Sequence, residues 1–312
     1  MTLAVVFPGQ GSQSVGMLAA LGAAEPVVRA TFDEASQVLG YDLWQLAQAG
    51  PEELLNSTER TQPAMLTAGI AVFRAWRGRG APDPAMLAGH SLGEFTALVA
   101  AEAIGFADAV ALVQFRGRVM QEAMPAGKGA MAAILGLDDA EVEAACQEAA
   151  AGEVVEAVNY NSPGQIVIAG HAGAVARAVE AAKARGAKRA MLLAVSVPAH
   201  SSLLVAAGER LAERLAGVEI RVPRWPVYAL GLARHDSPAA IRAQVVAQLS
   251  SPVRWSDTVR DMIARGATQL VECGPGKVLT ALNRRVDKNK DIAMQAIDDP
   301  ATLAAALPKG NE

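Results

Sequence analysis

A serine flanked two residues away by glycines, Gly89-His90-Ser91-Leu92-Gly93, lies where a short apolar run gives way to a helical pattern. The G-x-S-x-G spacing suits a sharp strand-to-helix turn, because small residues on both sides let the chain reverse and push the hydroxyl into the open. A serine held that way is a candidate nucleophile for acyl transfer or hydrolysis. The helix start turns unpaired N–H groups and the positive dipole end toward a developing oxyanion, with the Leu92 N–H as the natural donor. The competing reading is a glycine-rich turn that carries no chemistry.

A serine nucleophile needs a base, and the chain has four histidines. His90 adjoins Ser91 and must point elsewhere. His171 falls at a predicted strand–helix junction, where a capping or surface role suits it better. His235 lies in a charged loop, Arg234-His235-Asp236. His200 follows Pro198 just after a predicted strand and is the favoured base, with His171 the alternative. No acidic partner is apparent near either, which points to a triad whose third member is not an acid.

One cation is out of place. In the helical pattern over 106–122, Arg116 has Leu112, Val113, Val119 and Met120 at i±3 and i±4, so it falls inside the apolar stripe. Arg118, among Gln114, Phe115, Gln121 and Glu122, reads as solvent-facing. A buried guanidinium requires an anion. Either a protein carboxylate supplies it, or a substrate carboxylate does, gripped by the two-pronged arginine fork.

Other motifs fail on spacing. Gly9-Gln10-Gly11 follows a predicted strand, but Ser14 stands where a dinucleotide fingerprint needs its third glycine. Val278 follows Gly276-Lys277 where a phosphate-binding loop needs Ser or Thr. Neither the histidines nor Cys146 and Cys273 show metal-ligand spacing, and the cysteines read as reduced thiols.

The elements that must hold these residues alternate between strand and helix. An apolar strand at Leu3 to Phe7 leads to helices at about 27–40 and 63–78, the second with Pro63 in its first turn. A weak strand at 86–88 precedes helices at 91–103 and 106–122. From 126 to 196 the order is β-α-β-β-α-β: strands at 130–135, 154–159, 165–169 and 189–195, and helices at 138–151 and 174–185. Asp138 with Glu141 resembles a capping box, and Gly186 suits a helix end. Beyond 197 follow helices at 203–216, 238–249, 252–265 and 277–286, with strands at 226–230 and 268–272. The fold class expected is α/β: a large hydrolase-like domain with a mostly parallel sheet, residues 1–125 and 197–312. A small ferredoxin-like βαββαβ domain at 126–196 interrupts it. The last four residues are expected to fray.

Composition narrows the function classes. The 312 residues are 52% hydrophobic and 19% charged, too apolar for a disordered chain. A net charge of −4 and an aromatic content of 4% argue against a nucleic-acid surface. The beginning Met1-Thr2-Leu3-Ala4 has no basic targeting segment, and the apolar, uncharged stretch 190–208 includes Pro198, His200, Ser201 and Ser202. A soluble, cytoplasmic protein is expected.

The segments FPGQGSQ (7–13), TQPA (61–64), GHSLGE (89–94), Arg116-Gly117, NSPGQ (161–165), PAHS (198–201) and GPGK (274–277) occur in an order and spacing shared by one family. Over almost its whole length the chain resembles the malonyl-CoA:acyl carrier protein transacylases of bacterial fatty acid synthesis. The resemblance implies a ping-pong acyltransferase with Ser91 as acylated nucleophile and His200 as base. The Gln248 main-chain carbonyl would orient His200, and the Gln10 and Leu92 N–H groups would form the oxyanion hole. Arg116 would bind the malonyl carboxylate, with Gln62, Met120 and Asn161 lining the acyl pocket. It implies malonyl-CoA as substrate, no cofactor or metal, and an acyl carrier protein as partner. No nucleic acid or membrane takes part, and a monomer is expected. The carrier would meet a basic surface, for which Lys183, Lys188, Arg189, Arg284 and Arg285 are candidates. Tyr228-Ala229-Leu230-Gly231-Leu232 and Ala199 depart from the family pattern. The rivals are an acyltransferase serving malonate decarboxylase or polyketide synthesis, a serine thioesterase or hydrolase, and a non-catalytic carrier-binding module.

Overall fold

A computed structural model describes residues 2–125, 127–195 and 197–308. Its strands are β1 (Leu3–Phe7), β2 (Met86–Gly89), β3 (Gly129–Leu135), β4 (Val155–Ser162) and β5 (Gln165–His171), followed by β6 (Arg189–Leu192), β7 (Tyr228–Ala229), β8 (Ala233–Arg234), β9 (Gln269–Cys273) and β10 (Ala293–Ile297). Four of them form a parallel sheet in the order β10-β9-β1-β2. Every residue of β1 is buried, as expected of a strand covered on both faces. The two-residue period divides it: Leu3, Val5 and Phe7 join the core beneath the helices Thr58–Gly78 and Gly93–Ala100. Ala4 and Val6 join the opposite core against Trp255, Val259 and Leu279.

The second sheet is antiparallel throughout, in the order β4-β5-β3-β6. The helices Asp139–Ala150 and Ala172–Ala184 cover one face and bury Ile134, Val142, Cys146, Ile166 and Val175 in a core of its own. The other face carries Met131, Val158, Val167 and Ala169, packed against Leu193, Val195 and Ala199. That face becomes a wall of the cleft described below. The main chain ties the two halves together, since Tyr160 N–H donates to the Val253 carbonyl and Val253 N–H to the Val158 carbonyl, each at 2.9 Å.

Several expectations shift. The helix thought to open at 63 begins at Thr58, so Pro63 lies inside it; the polar run Thr58-Glu59-Arg60-Thr61-Gln62 conceals its first turn. The strand expected at 226–230 is cut to β7, because Leu230 and Gly231, at φ 36° and 78°, turn the chain back into β8. Strand β10 and the helix Pro300–Ala305 extend the large sheet beyond the expected elements. Asp138 caps its helix by accepting from the Glu141 N–H at 2.9 Å, while the Glu141 carboxylate pairs with Arg185. The expected domain junctions at 126 and 196, and the end 309–312, lie outside the described residues. Among the described residues no helix is long and apolar enough to cross a membrane.

Candidate active site

Ser91 stands on a forced turn. It follows β2 at φ 53°, a left-handed conformation that side chains rarely adopt. A Cβ on Gly89 would lie 1.8 Å from the Gly93 carbonyl carbon, and one on Gly93 would lie 2.1 Å from the Phe7 oxygen. Both glycines are therefore required by the approach of the turn to itself and to β1, and the serine is left at the apex.

His200, at φ 67° in the turn after Pro198, places Nε2 2.7 Å from Ser91 Oγ. Its Nδ1 is 2.8 Å from the Gln248 carbonyl oxygen. A carbonyl only accepts, so Nδ1 carries the proton and Nε2 is free to accept the serine's. Burial, reinforced by the nearby Arg116 charge, pushes the His200 pKa down to about 3 from its ordinary 6.5. The imidazole is thus neutral and ready as a base. Acylation of Ser91 should stay level as pH falls through 6.5, measured by rapid mixing while the protein remains folded; a midpoint near 6.5 would contradict this burial. Because the folded value lies below the unfolded one, the stability tied to neutral His200 is complete above 6.5 and is lost progressively as pH falls toward 3.

Arg116 is 1% exposed. Its Nη1 and Nη2 donate at 2.9 Å to the side-chain oxygens of Gln62 and Gln248, neither a carboxylate, and its buried Nε–H has no partner among the described residues. The Phe95 ring centroid lies 5.5 Å from the guanidinium carbon. Burial lowers the Arg116 pKa to about 10, opposed by the charge of Glu94. Gln62 Nε2 also lies 3.5 Å from Met120 Sδ.

Ser91, His200, Arg116, Met120, Asn161, Gln10 and Leu92 all border one cleft of about 220 Å³ between the two sheets. Gln62 stands behind Arg116. Among the described residues the main-chain N–H groups of Gln10 and Leu92 donate to no protein acceptor. Asn161 Oδ1 is 2.7 Å from His90 Nε2, so His90 does point away from the serine, and its ring lies against Trp255. His171 ends β5 and immediately precedes the helix Ala172–Ala184, where its Nδ1 accepts from the Val154 N–H at 3.0 Å. Lys183, Lys188, Arg189, Arg284 and Arg285 are exposed. Lys188 and Arg285 border one shallow groove, and Arg285 donates to Gln165 Oε1, at the cleft wall. Lys183 instead pairs with Glu180.

Three features escaped the sequence reading. The Gln248 side chain, beyond its carbonyl, joins Arg116 to Glu94 and to the Ser91 carbonyl. Glu94 is buried; its place three residues after Ser91 was the available signal. His235, read from the sequence as part of a charged loop, is 3% exposed, with Nε2 2.8 Å from Glu94 Oε1. Its own N–H donates to the Val227 carbonyl, which draws the loop inward.

Residues 4–301 match the acyl transferase domain family. The malonyl CoA-acyl carrier protein transacylase of Escherichia coli K12 is 54% identical over 305 residues, spanning 97% of this chain and 98% of that one. The Bacillus subtilis enzyme of that name is 43% identical over 307 residues, spanning 98% and 96%. Among solved structures, an acyl carrier protein S-malonyltransferase from Vibrio cholerae superposes with a TM-score of 0.94 at 52% identity, covering 98% of this chain and 99% of that one. A malonyl-transacylase in complex with its type II polyketide acyl carrier protein gives a TM-score of 0.96 at 51% identity with the same coverage. With the serine elbow, the neutral histidine and the buried arginine in one cleft, the chain belongs to the acyl transferases and, within them, to the malonyl-CoA:acyl carrier protein transacylases.

Proposed function

We propose that the chain moves a malonyl group from malonyl-CoA to the phosphopantetheine thiol of an acyl carrier protein through a malonyl ester on Ser91. The observation that carries this reading is a buried Arg116, hydrogen-bonded among the described residues only to amide oxygens, in the same cleft as the Ser91–His200 pair. Arg116 grips the substrate carboxylate and so sets the thioester carbon over Ser91. His200 Nε2 takes the Ser91 proton as Oγ attacks, and the oxyanion turns to the Gln10 and Leu92 N–H groups. Collapse breaks the C–S bond, and the CoA sulfur leaves with the proton held on His200. In the second half the carrier thiol gives its proton to His200 and attacks the ester, and Ser91 recovers its hydrogen. The Gln248 carbonyl accepts from Nδ1–H throughout and steadies the transient imidazolium. Gln62, Met120 and Asn161 shape the acyl pocket, and no step calls on a metal or cofactor.

The strand order β4-β5-β3-β6, with both helices on one face, supports a ferredoxin-like insert. The elbow at the end of parallel strand β2 supports a hydrolase-like large domain. Since a relative at 51% identity is in complex with a type II polyketide carrier, a polyketide carrier is the second reading of the partner.

The test is product analysis with malonyl-CoA and holo carrier protein. Malonyl carrier and free CoA are expected in equal amounts; free malonate as the main product would make the protein a thioesterase. In that assay Lys188→Glu with Arg285→Glu should raise KM for the carrier, less so at high salt, and leave KM for malonyl-CoA unmoved. Equal rises for both substrates would remove these residues from the carrier surface.

A further inference from the structure

We propose that Glu94, steadied by His235, is a positioning residue for carboxylate recognition: it fixes the Gln248 amide so that Arg116 keeps an edge free for the substrate. This deepens the reading of Arg116 as the malonyl ligand and rests on it.

The orientation of the Gln248 amide is dictated by its neighbours. A guanidinium only donates, so the atom 2.9 Å from Arg116 Nη2 is the amide oxygen. A carboxylate and a main-chain carbonyl only accept, so the amide nitrogen faces Glu94 Oε2 at 2.7 Å and the Ser91 oxygen at 3.0 Å. Both amide hydrogens are used. Turning the amide over would set N–H against guanidinium and oxygen against carboxylate, a mismatch inside a buried site.

Glu94 also answers the charge on Arg116 from a distance. A carboxylate bonded directly to the guanidinium would occupy the edge that a substrate needs. With Gln248 interposed, the negative charge opposes the effect of burial on Arg116 while Nε–H is left without a partner among the described residues. Glu94 is itself pinned: it sits in the first turn of the helix Gly93–Ala100, and its other oxygen is 2.8 Å from His235 Nε2, a side chain with no exposed surface. The chain His235–Glu94–Gln248–Arg116 thus runs from the β7–β8 hairpin to the acyl pocket.

The experiment compares two substrates. Malonyl-CoA needs Arg116; p-nitrophenyl acetate, an uncharged activated ester, needs only Ser91 and His200. Glu94→Gln removes the charge and allows the new amide to present either end. Its kcat/KM for malonyl-CoA should fall about 10-fold to 100-fold, the scale of a lost hydrogen bond to a charged group, with acylation by the acetate ester little changed. His235→Leu should act in the same direction, and His235→Gln, which keeps an N–H within reach of Glu94, should restore malonyl transfer. Both reactions falling together, or neither changing, would overturn the proposal. If thermal melting shows that Glu94→Gln does not fold, the two His235 variants carry the same comparison. Arg116→Ala measured alongside separates the levels. Malonyl preference lost there but kept in Glu94→Gln removes this inference alone, whereas preference kept in both removes the carboxylate reading.

Discussion

Arg116→Ala lowers malonyl transfer by roughly 30-fold to several thousand-fold, because truncating one side of a desolvated, hydrogen-bonded ion pair costs about 2–5 kcal/mol and each 1.4 kcal/mol is tenfold. The emptied space, beside Phe95 and Met120, has no charge left to solvate a carboxylate. Acetyl and longer uncharged acyl groups should therefore be taken better than before, in absolute rate as well as in preference. An arginine that served only the fold would behave differently, with melting temperature, malonyl transfer and acetyl transfer all falling together. Both transfer rates and the melting temperature of the one variant decide the matter. An unchanged malonyl-to-acetyl preference would mean that Arg116 is not the carboxylate ligand.

His200→Ala should slow the acylation and deacylation halves alike, by a factor on the order of 10² or more, the scale of a lost general base. The two halves fall together because one nitrogen, Nε2, takes the proton from Ser91 in the first and from the carrier thiol in the second. Single-turnover measurements resolve them. If His171→Ala had that effect and His200→Ala did not, the base would be misassigned; the hydrogen bond of His171 to Val154 in the small sheet speaks against that outcome.

Local pattern exposed the parts of this site that are local. The elbow was legible because the turn itself demands glycine at 89 and 93, and the demand is written within five residues. Arg116 was legible because a charge inside an apolar stripe contradicts the helix around it. His200 came from elimination among four histidines and a break at Pro198. What stayed hidden is held by contacts between residues far apart in the chain. The Gln248 side chain reaches Arg116 across 132 positions and Glu94 across 154, and Glu94 meets His235 across 141. No periodicity records such pairings. His235 shows the hazard most clearly, since Arg234 and Asp236 on either side suggest solvent, yet the short hairpin turns the middle residue inward. Pro63 misled for a related reason: a proline at a first turn is the commoner arrangement, and here the buried packing of a long helix carries it in the interior.

The central claim is that the malonyl group passes through Ser91, and intact-mass and peptide mass spectrometry of the protein mixed with malonyl-CoA test it most directly. One malonyl adduct per chain is expected, on the peptide that contains Ser91, absent from Ser91→Ala, and discharged when holo carrier protein is added. An adduct that persists in Ser91→Ala, or transfer to the carrier that proceeds at full rate in that variant, would contradict the account.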